Sequence, residues 1–222
     1  VPHKVDVIPY LDEMDPTATA AGAVNTILNL NGKLIGHNTD TYGFLQGLKI
    51  ERRFECRDKR VLVLGAGGAA RGVLQALIQE RVIECVIANR TLHRAERLAA
   101  TGLQMGIDCR SIGMAWEELS LAAVNADLIV NCTTIGMAHT LNEGDSPLQP
   151  QQIPPGALVY DLVYNPLVTP LIRAAARAGA DTLGGIHMLV YQGAASFELW
   201  LGSEAPVEVM MQAAVNAMSG DD

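Results

Sequence analysis

Three polar residues near the start of the chain have the side chains that an acid–base site needs. Lys4, in "VPHK", is a mobile cation that can donate a proton. Asp40, in "GHNTDTYGF", follows a strand and can hold both that ammonium and a substrate hydroxyl. Asn25, in "GAVNT", can donate and accept at once. One hairpin and its flanks carry all three. Taken singly, each has a plainer reading: a surface lysine, a turn asparagine and a helix-capping aspartate.

Further along, "VLVLGAGGAARGV" carries Gly65, Gly67 and Ala70 as G-x-G-x-x-A directly after an apolar run. The first glycine permits a tight turn, and the second lets the backbone approach a pyrophosphate. The alanine permits close helix–strand packing, with the helix N-terminus facing the anion. The pattern follows a strand, opens a helix and precedes a second strand, the context a dinucleotide site requires. A turn used only for packing is the plainer alternative. The second strand, in "VIECVIANRTLHR", ends at Asn89, 24 positions after Gly65. An acid there would accept from the ribose 2′-hydroxyl of NAD. Asn89 and Arg90 stand there instead, and Arg94 follows one helical turn later. A carboxylate would repel a 2′-phosphate, whereas a guanidinium attracts it and bonds it through two parallel N–H groups. The pair reads as a clamp for NADP, with two solvated arginines at a helix start as the alternative.

The elements that must position these groups follow from the hydrophobic pattern. Residues 23–40 are two alternating runs joined by Asn31-Gly32, whose tolerance of positive φ predicts a two-residue hairpin. A helix is expected over 41–50, then a charged connector, "ERRFECRDK", as a boundary. From residue 60 strands and helices alternate. "RVLVLG", "VIECVIA", "ADLIVNC" and "ALVYDLV" read as strands. "GGAARGVLQALIQE" and "LHRAERLAATG", the latter with a glycine stop, read as helices. So does "TPLIRAAARAGA", with Thr169 as N-cap, Pro170 at the first helical position and Gly179 at its end. Continuous apolar strands between helices imply a parallel sheet covered on both faces. From Ile186 the tail reads as two helices. The expected organisation is a doubly wound α/β unit over 58–185, with 1–57 and 186–222 in a smaller unit.

A chain of 222 residues, 49% apolar and 18% charged, can build one large or two small cores. Its net charge of -8 argues against nucleic acid or an anionic membrane as the main partner. No apolar run reaches the roughly 18 residues needed to cross a bilayer, and no signal peptide is read at the start. Cys56, Cys85, Cys109 and Cys132 form no CxxC pair and have no histidine at metal-ligand spacing. No metal is expected, and the cysteines read as buried, reduced thiols of a cytoplasmic protein. The opening "VPHKVDV" reads as the middle of an element, hence as a chain whose upstream residues are missing.

In order, the Pro-x-Lys of "VPHK", "GAVNT", "NTD", "GAGGAARG", "NRT", "NCTTIGM", "VYNPLVTPL" and "GGIHMLVYQGAASFELWLG" resemble the shikimate dehydrogenase family over essentially the whole chain. The resemblance implies a Rossmann domain that binds NADP and a smaller, N-terminally incomplete α/β substrate domain. It implies reversible reduction of 3-dehydroshikimate to shikimate by NADPH, in the biosynthesis of chorismate and the aromatic amino acids. By the same resemblance Lys4 is the catalytic lysine and Asp40 its partner, and Lys4, Asn25, Asp40, Tyr164 and Gln192 are substrate contacts. Gly65, Ala66, Gly67, Gly68 and Ala69, with Asn89, Arg90, Thr91 and Arg94, are cofactor contacts, and Leu162 and Gly185 lie near the nicotinamide end. His187 stands where some relatives carry glycine. The related quinate/shikimate dehydrogenases can use NAD and often keep an acid at the second strand's end, so Asn89-Arg90 speaks against that branch. The family carries, upstream of this point, two hydroxyl residues that hold the substrate carboxylate, a threonine just before "VP", and the first strands of the substrate sheet. A polypeptide of only these residues is therefore expected to bind NADPH but to have little affinity for shikimate, and the strand beside Lys4 is expected to lack neighbours. The contrasting reading is an NADP-binding module without turnover, opposed by the retention of both Lys4 and Asp40. The oligomeric state stays open, a homodimer being one option.

Overall fold

The computed structural model describes residues 3–219. Val1 and Pro2, and with them the first half of "VPHK", lie outside it, as do the last three residues. The described residues begin with turns, not with the expected strand. The Val7 N–H donates to the His3 carbonyl and the Tyr10 N–H to the Val7 carbonyl, so this backbone satisfies itself locally and has no free edge to pair. Lys4 is nevertheless anchored, because its carbonyl accepts from the Val24 N–H at 2.7 Å.

A small sheet follows, built from β1 (Glu13–Met14), β2 (Thr26–Leu30) and β3 (Lys33–His37) in the order β1-β3-β2. Asn31 and Gly32 close the hairpin with φ of 54° and 91°, the double positive φ that their sequence predicts. This turn sets the register, pairing Leu30 with Lys33 and Thr26 with His37. The short helix α1 (Pro16–Ala21) is capped by the Asp15 side chain, which accepts from the Ala18 N–H. After the hairpin comes α2 (Asp40–Gln46), whose last residues widen into a π-helical turn, Gly47–Glu51.

The large sheet has six parallel strands: β4 (Arg60–Leu64), β5 (Glu84–Ala88), β6 (Asp108–Ile112), β7 (Leu128–Asn131), β8 (Leu158–Asp161) and β9 (Asp181–Gly184). Their order is β6-β5-β4-β7-β8-β9. Winding therefore reverses between β4 and β7, the switch point at which ligands of doubly wound sheets bind. Alternate residues of β4 serve the two faces. Val61 and Val63 pack with α3 (Gly68–Glu80) and α4 (Leu92–Gln104); Leu62 and Leu64 pack with α5 (Trp116–Val124) and α6 (Pro170–Ala178). Thr169 caps α6 through its side chain, Pro170 is its first residue, and Gly179 ends it in the left-handed conformation, as expected.

Three features of this sheet depart from the sequence pattern. The edge strands β6 and β9 carry no continuous apolar run because they are covered less completely than central strands; β6 alternates exposed Asp108 and Arg110 with buried Cys109. Helix α5 lacks a start signal because Ala115 at its N-cap offers no side-chain oxygen. The glycine stop expected in α4 is instead an interior position: the helix runs past Gly102, where a Cβ would lie 2.8 Å from that of Cys109. Cys132 also departs from expectation, being only partly buried just past the end of β7, while Cys56, Cys85 and Cys109 are buried.

Helix α7 (Gly185–Leu201) starts immediately after β9, so the boundary expected after residue 185 falls in its first turn. It leaves the large sheet and packs along α2 and against β2. Helix α8 (Val207–Ser219) packs on α7. No helix of the described residues is long and apolar enough to cross a membrane.

Candidate active site

The hairpin register brings the polar residues of the first segment together. Because Thr26 opposes His37, the residues just outside the sheet, Asn25 on one side and Asn38–Asp40 on the other, emerge next to each other. The Asn25 N–H donates to the His37 carbonyl at 3.1 Å. Asn38 turns the chain into α2: its amide donates to the Ala23 carbonyl at 2.9 Å, and its Oδ1 accepts the Asp40 N–H at 3.0 Å. Asp40 is thereby the first residue of α2 and only 2% exposed. The helix N-terminus favours its negative charge.

Both carboxylate oxygens of Asp40 are engaged. Oδ2 accepts from the Lys4 ammonium, and Oδ1 accepts from Asn25 Nδ2 at 2.9 Å. Asn25 Nδ2 also lies 2.8 Å from Thr39 Oγ1 and 3.2 Å from Gln192 Oε1. Lys4, Asn25, Asp40 and Gln192 thus form one cluster, although the helix carrying Gln192 is the far end of the chain. The Lys4 side chain remains 20% accessible and lies across Gly68, the first residue of α3, where a Cβ would stand 3.2 Å from its Cβ and Cδ. The ammonium is therefore at the lip of the glycine-rich turn.

That turn fits a dinucleotide. Gly65 has φ of 103°, which a side chain resists, and its N–H donates to the Ala88 carbonyl at 2.7 Å. Gly67 caps α3 without any side-chain bond, and a Cβ there would stand in open space. The space beside Gly67, at the start of α3, is therefore open to a pyrophosphate, which the first N–H groups of a helix suit. Leu64 pairs with Ala88, so Asn89 and Arg90 leave the sheet beside the turn. Asn89 Nδ2 donates to the Thr91 carbonyl at 2.9 Å. Arg90 and Arg94 are exposed, with no ion-pair partner among the described residues.

Of the remaining expected residues, Leu162 and Tyr164 lie on the loop after β8, and Gly185 opens α7. Leu162 is partly buried and packed on the core, and Gly185 abuts it so closely that a Cβ would lie 2.3 Å from the Leu162 carbonyl oxygen. Tyr164 is half-exposed and makes no hydrogen bond to the lysine cluster. Several functional positions escape sequence reasoning. Thr26, Thr39 and Ser196 are buried hydroxyls around Asn25; all three stand inside the quoted motifs without a role of their own. Asp161, a lone acid in an apolar run, is fully buried. It accepts from Asn131 Nδ2 at 2.8 Å, the Val163 N–H at 3.1 Å and Thr169 Oγ1 at 2.6 Å, tying together the loops after β7 and β8. Burial pushes its carboxyl up to about 6, against the pull of these three donors. A cavity of about 590 Å³ lies elsewhere, between the loop after β7 and α6, lined by Ile135, Ser146, Gln149 and Arg173 among others, and includes none of these residues.

Sheet order and turn assign the larger part of the chain to the Rossmann-type dinucleotide-binding proteins, and a lysine–carboxylate pair beside such a turn suits an oxidoreductase. Comparison with known proteins narrows the class. Three family models match: shikimate dehydrogenase substrate binding domain over residues 1–27, shikimate / quinate 5-dehydrogenase over 49–148, and shikimate 5′-dehydrogenase C-terminal domain over 185–215. The chain is 47% identical over 215 residues to the shikimate dehydrogenase (NADP(+)) of Methanopyrus kandleri, spanning 96% of this chain and 73% of that one. Among solved structures it is similar to a shikimate dehydrogenase in complex with NADP+, with a TM-score of 0.89, 37% identity and coverage of 98% and 75%. It is equally 37% identical to the shikimate 5-dehydrogenase of Thermus thermophilus in complex with NADP(H) and shikimate, with a TM-score of 0.85 and coverage of 98% and 77%. The chain belongs to the shikimate dehydrogenase family.

Proposed function

We propose that this protein reduces 3-dehydroshikimate reversibly to shikimate with NADPH. The observation that carries the proposal is the Lys4–Asp40 pair, buried on its carboxylate side and open on its ammonium side, at the edge of the glycine turn. When bound, the reduced nicotinamide supplies a hydride to the substrate's carbonyl carbon. Lys4 has three donors and spends one on Asp40, leaving two for the substrate. As negative charge develops on the carbonyl oxygen, the ammonium delivers its proton there; in the reverse direction the neutral amine takes it back. Asp40 holds the lysine at that position. Asn25, Gln192 and Tyr164 bind the substrate's hydroxyls, the first two being already oriented by their bonds around Asp40.

Gly65 to Ala69 hold the pyrophosphate, and Asn89 to Arg94 receive the ribose end, with Arg90 and Arg94 as free guanidinium groups for the 2′-phosphate. Leu162 and Gly185 shape the nicotinamide end. The protein works in a reducing, cytoplasmic setting, in keeping with thiols that burial keeps protonated: the Cys56 thiol is pushed up to about 12. The test is the absorbance of NADPH consumed with 3-dehydroshikimate, alongside NADH, and of NADP reduced with quinate in place of shikimate. Turnover is expected with NADPH and 3-dehydroshikimate from a chain with its upstream residues in place; its absence there would refute the assignment.

A further inference from the structure

The amide of Asn25 sits in a closed ring of hydrogen bonds that reaches beyond the substrate-facing cluster. Asn25 Nδ2 lies 2.8 Å from Thr39 Oγ1, Thr39 Oγ1 lies 3.1 Å from Ser196 Oγ, Ser196 Oγ lies 2.6 Å from Thr26 Oγ1, and Thr26 Oγ1 lies 3.0 Å from Asn25 Oδ1. The three hydroxyl residues are 1%, 5% and 5% exposed for Thr26, Thr39 and Ser196, so water does not substitute for any member. One end of the ring has a fixed direction. The Thr39 backbone N–H, which can only donate, faces Asn25 Oδ1 at 3.0 Å and so identifies that atom as the oxygen. Thr26 then donates to Oδ1, while in the Thr26–Ser196 and Ser196–Thr39 contacts either hydroxyl can be the donor. Ser196 Oγ also lies 3.0 Å from the Gln192 carbonyl, but its contact with Thr26 is the shorter.

We propose that Ser196 is a positioning residue for substrate binding, closing this ring and so holding the Thr39 hydroxyl away from Gln192 Oε1, which leaves that oxygen to the Asn25 amide. The inference rests on the functional reading above, in which Asn25 and Gln192 touch substrate. Ser196 itself touches neither substrate nor cofactor; it stands one helical turn beyond Gln192 on α7. Without its hydroxyl, Thr39 loses a partner, and the nearest replacement is Gln192 Oε1 at 3.5 Å, an oxygen that Asn25 already uses. Thr26 loses a partner at the same time. The Thr39 N–H still fixes which way the amide faces, but a Thr39 hydroxyl turned to Gln192 Oε1 competes with Asn25 Nδ2 for that oxygen, and the Asn25–Gln192 contact loosens.

The test is Ser196→Ala, which favours the helix and so folds. Loss of one net hydrogen bond predicts a KM for shikimate raised about three- to tenfold. The KM for NADP stays as it is, since the ring is remote from the glycine turn. Thr26→Val breaks the same ring from the hairpin side and is expected to give the same pattern. The double variant is expected to be no worse than the weaker single one, because a ring is broken only once. An independent readout is hydrogen exchange of the Asn25 side-chain amide in the ligand-free protein, slow in the wild type and faster in both variants. An unchanged shikimate KM, an equal rise in the KM for NADP, or multiplying effects in the double variant would overturn the proposal. If the wild type with its upstream residues in place fails to oxidise shikimate, the functional reading fails, and amide exchange still decides whether Ser196 steadies Asn25.

Discussion

Gly43 offers a direct test of how the substrate side is held. It lies one turn after Asp40 on α2, where that helix meets α7. A Cβ at this position would lie 2.7 Å from the Cβ of Gln192, 2.8 Å from its backbone nitrogen and 2.9 Å from the Met188 carbonyl oxygen. Two of these three neighbours are backbone, so no side-chain rotation relieves them; one helix must move off the other. Gly43→Ala gains about 1 kcal/mol of helix propensity but incurs overpacking of about 1–3 kcal/mol, so net stability falls by up to about 2 kcal/mol. For a chain of this size that is a drop in Tm of several degrees, roughly 2–4 °C per kcal/mol. The functional loss should be larger. Parting α2 from α7 draws Gln192 Oε1 away from Asn25, a contact already at 3.2 Å, and a displacement of about 1 Å in a positioning group can cost on the order of a hundredfold. The assay is steady-state shikimate oxidation with the KM for each substrate determined separately, beside a thermal melt. Gly193→Ala is the matched control: on the same helix, its Cβ would meet only Met210 Cε at 3.6 Å, an ordinary contact with a flexible tip. It should stabilise by about 0.5–1 kcal/mol and leave kinetics alone. If Gly43→Ala melts and turns over like Gly193→Ala, the helix contact does not position Gln192.

Arg90→Ala should weaken NADP binding about ten- to a hundredfold, the loss of a charge-assisted bond, and leave NAD binding unchanged; fluorescence titration with both nucleotides measures this, and an unaltered preference removes the clamp. Lys4→Ala should keep its affinity for NADPH and lose about a hundred- to ten-thousandfold in turnover, as loss of a positioned proton donor does; wild-type rates would take Lys4 out of the reaction. Asp161 predicts a pH dependence of stability. Its carboxyl is raised in the folded state to about 6, above the unfolded value, so the native state retains the proton between about pH 4 and 6 while the unfolded chain releases it. Stability attributable to this group is thus present at low pH and lost as pH rises through 6, by roughly 3 kcal/mol in all. Asp161→Asn, which keeps an acceptor for Asn131 and Val163, should flatten that slope in urea melts from pH 4 to 7. Parallel curves for variant and wild type would refute it.

What the sequence reveals and what it hides have separable causes. Local chemistry is legible: the Asn31-Gly32 turn, the Gly65 turn and the Thr169-Pro170 start of α6 are each dictated by neighbouring residues. Central strands are legible because they are largely apolar, and the edge strands β6 and β9 are not, because only one residue of each, Cys109 and Leu183, is buried. Gly102 misleads because a glycine near a helix end suits a stop as well as a close approach, and only the position of Cys109 distinguishes them. Lys4, Asn25 and Asp40 are grouped by motif; their bonds depend on the hairpin register and on a helix more than 140 residues away in the chain. The Thr26, Thr39 and Ser196 hydroxyls leave no pattern to read, since buried serines and threonines have no spacing rule of their own.

The direct passage from β9 into α7 has a mechanical consequence. With no residue between Gly184 and Gly185, the helix is clamped at its root, where Gly185 presses on the Leu162 carbonyl. Seventeen residues of helix act as a stiff lever about 25 Å long, pivoting at the loop that carries Leu162 and Tyr164. Gln192 sits about 10 Å along that lever, so a rotation of only about 5° at the root carries it by roughly 1 Å. Any opening of the cleft by this route disengages Gln192 from Asn25 while disturbing the Leu162 loop at the fulcrum. Release of the substrate and loosening of the cofactor's reactive end are then one motion rather than two.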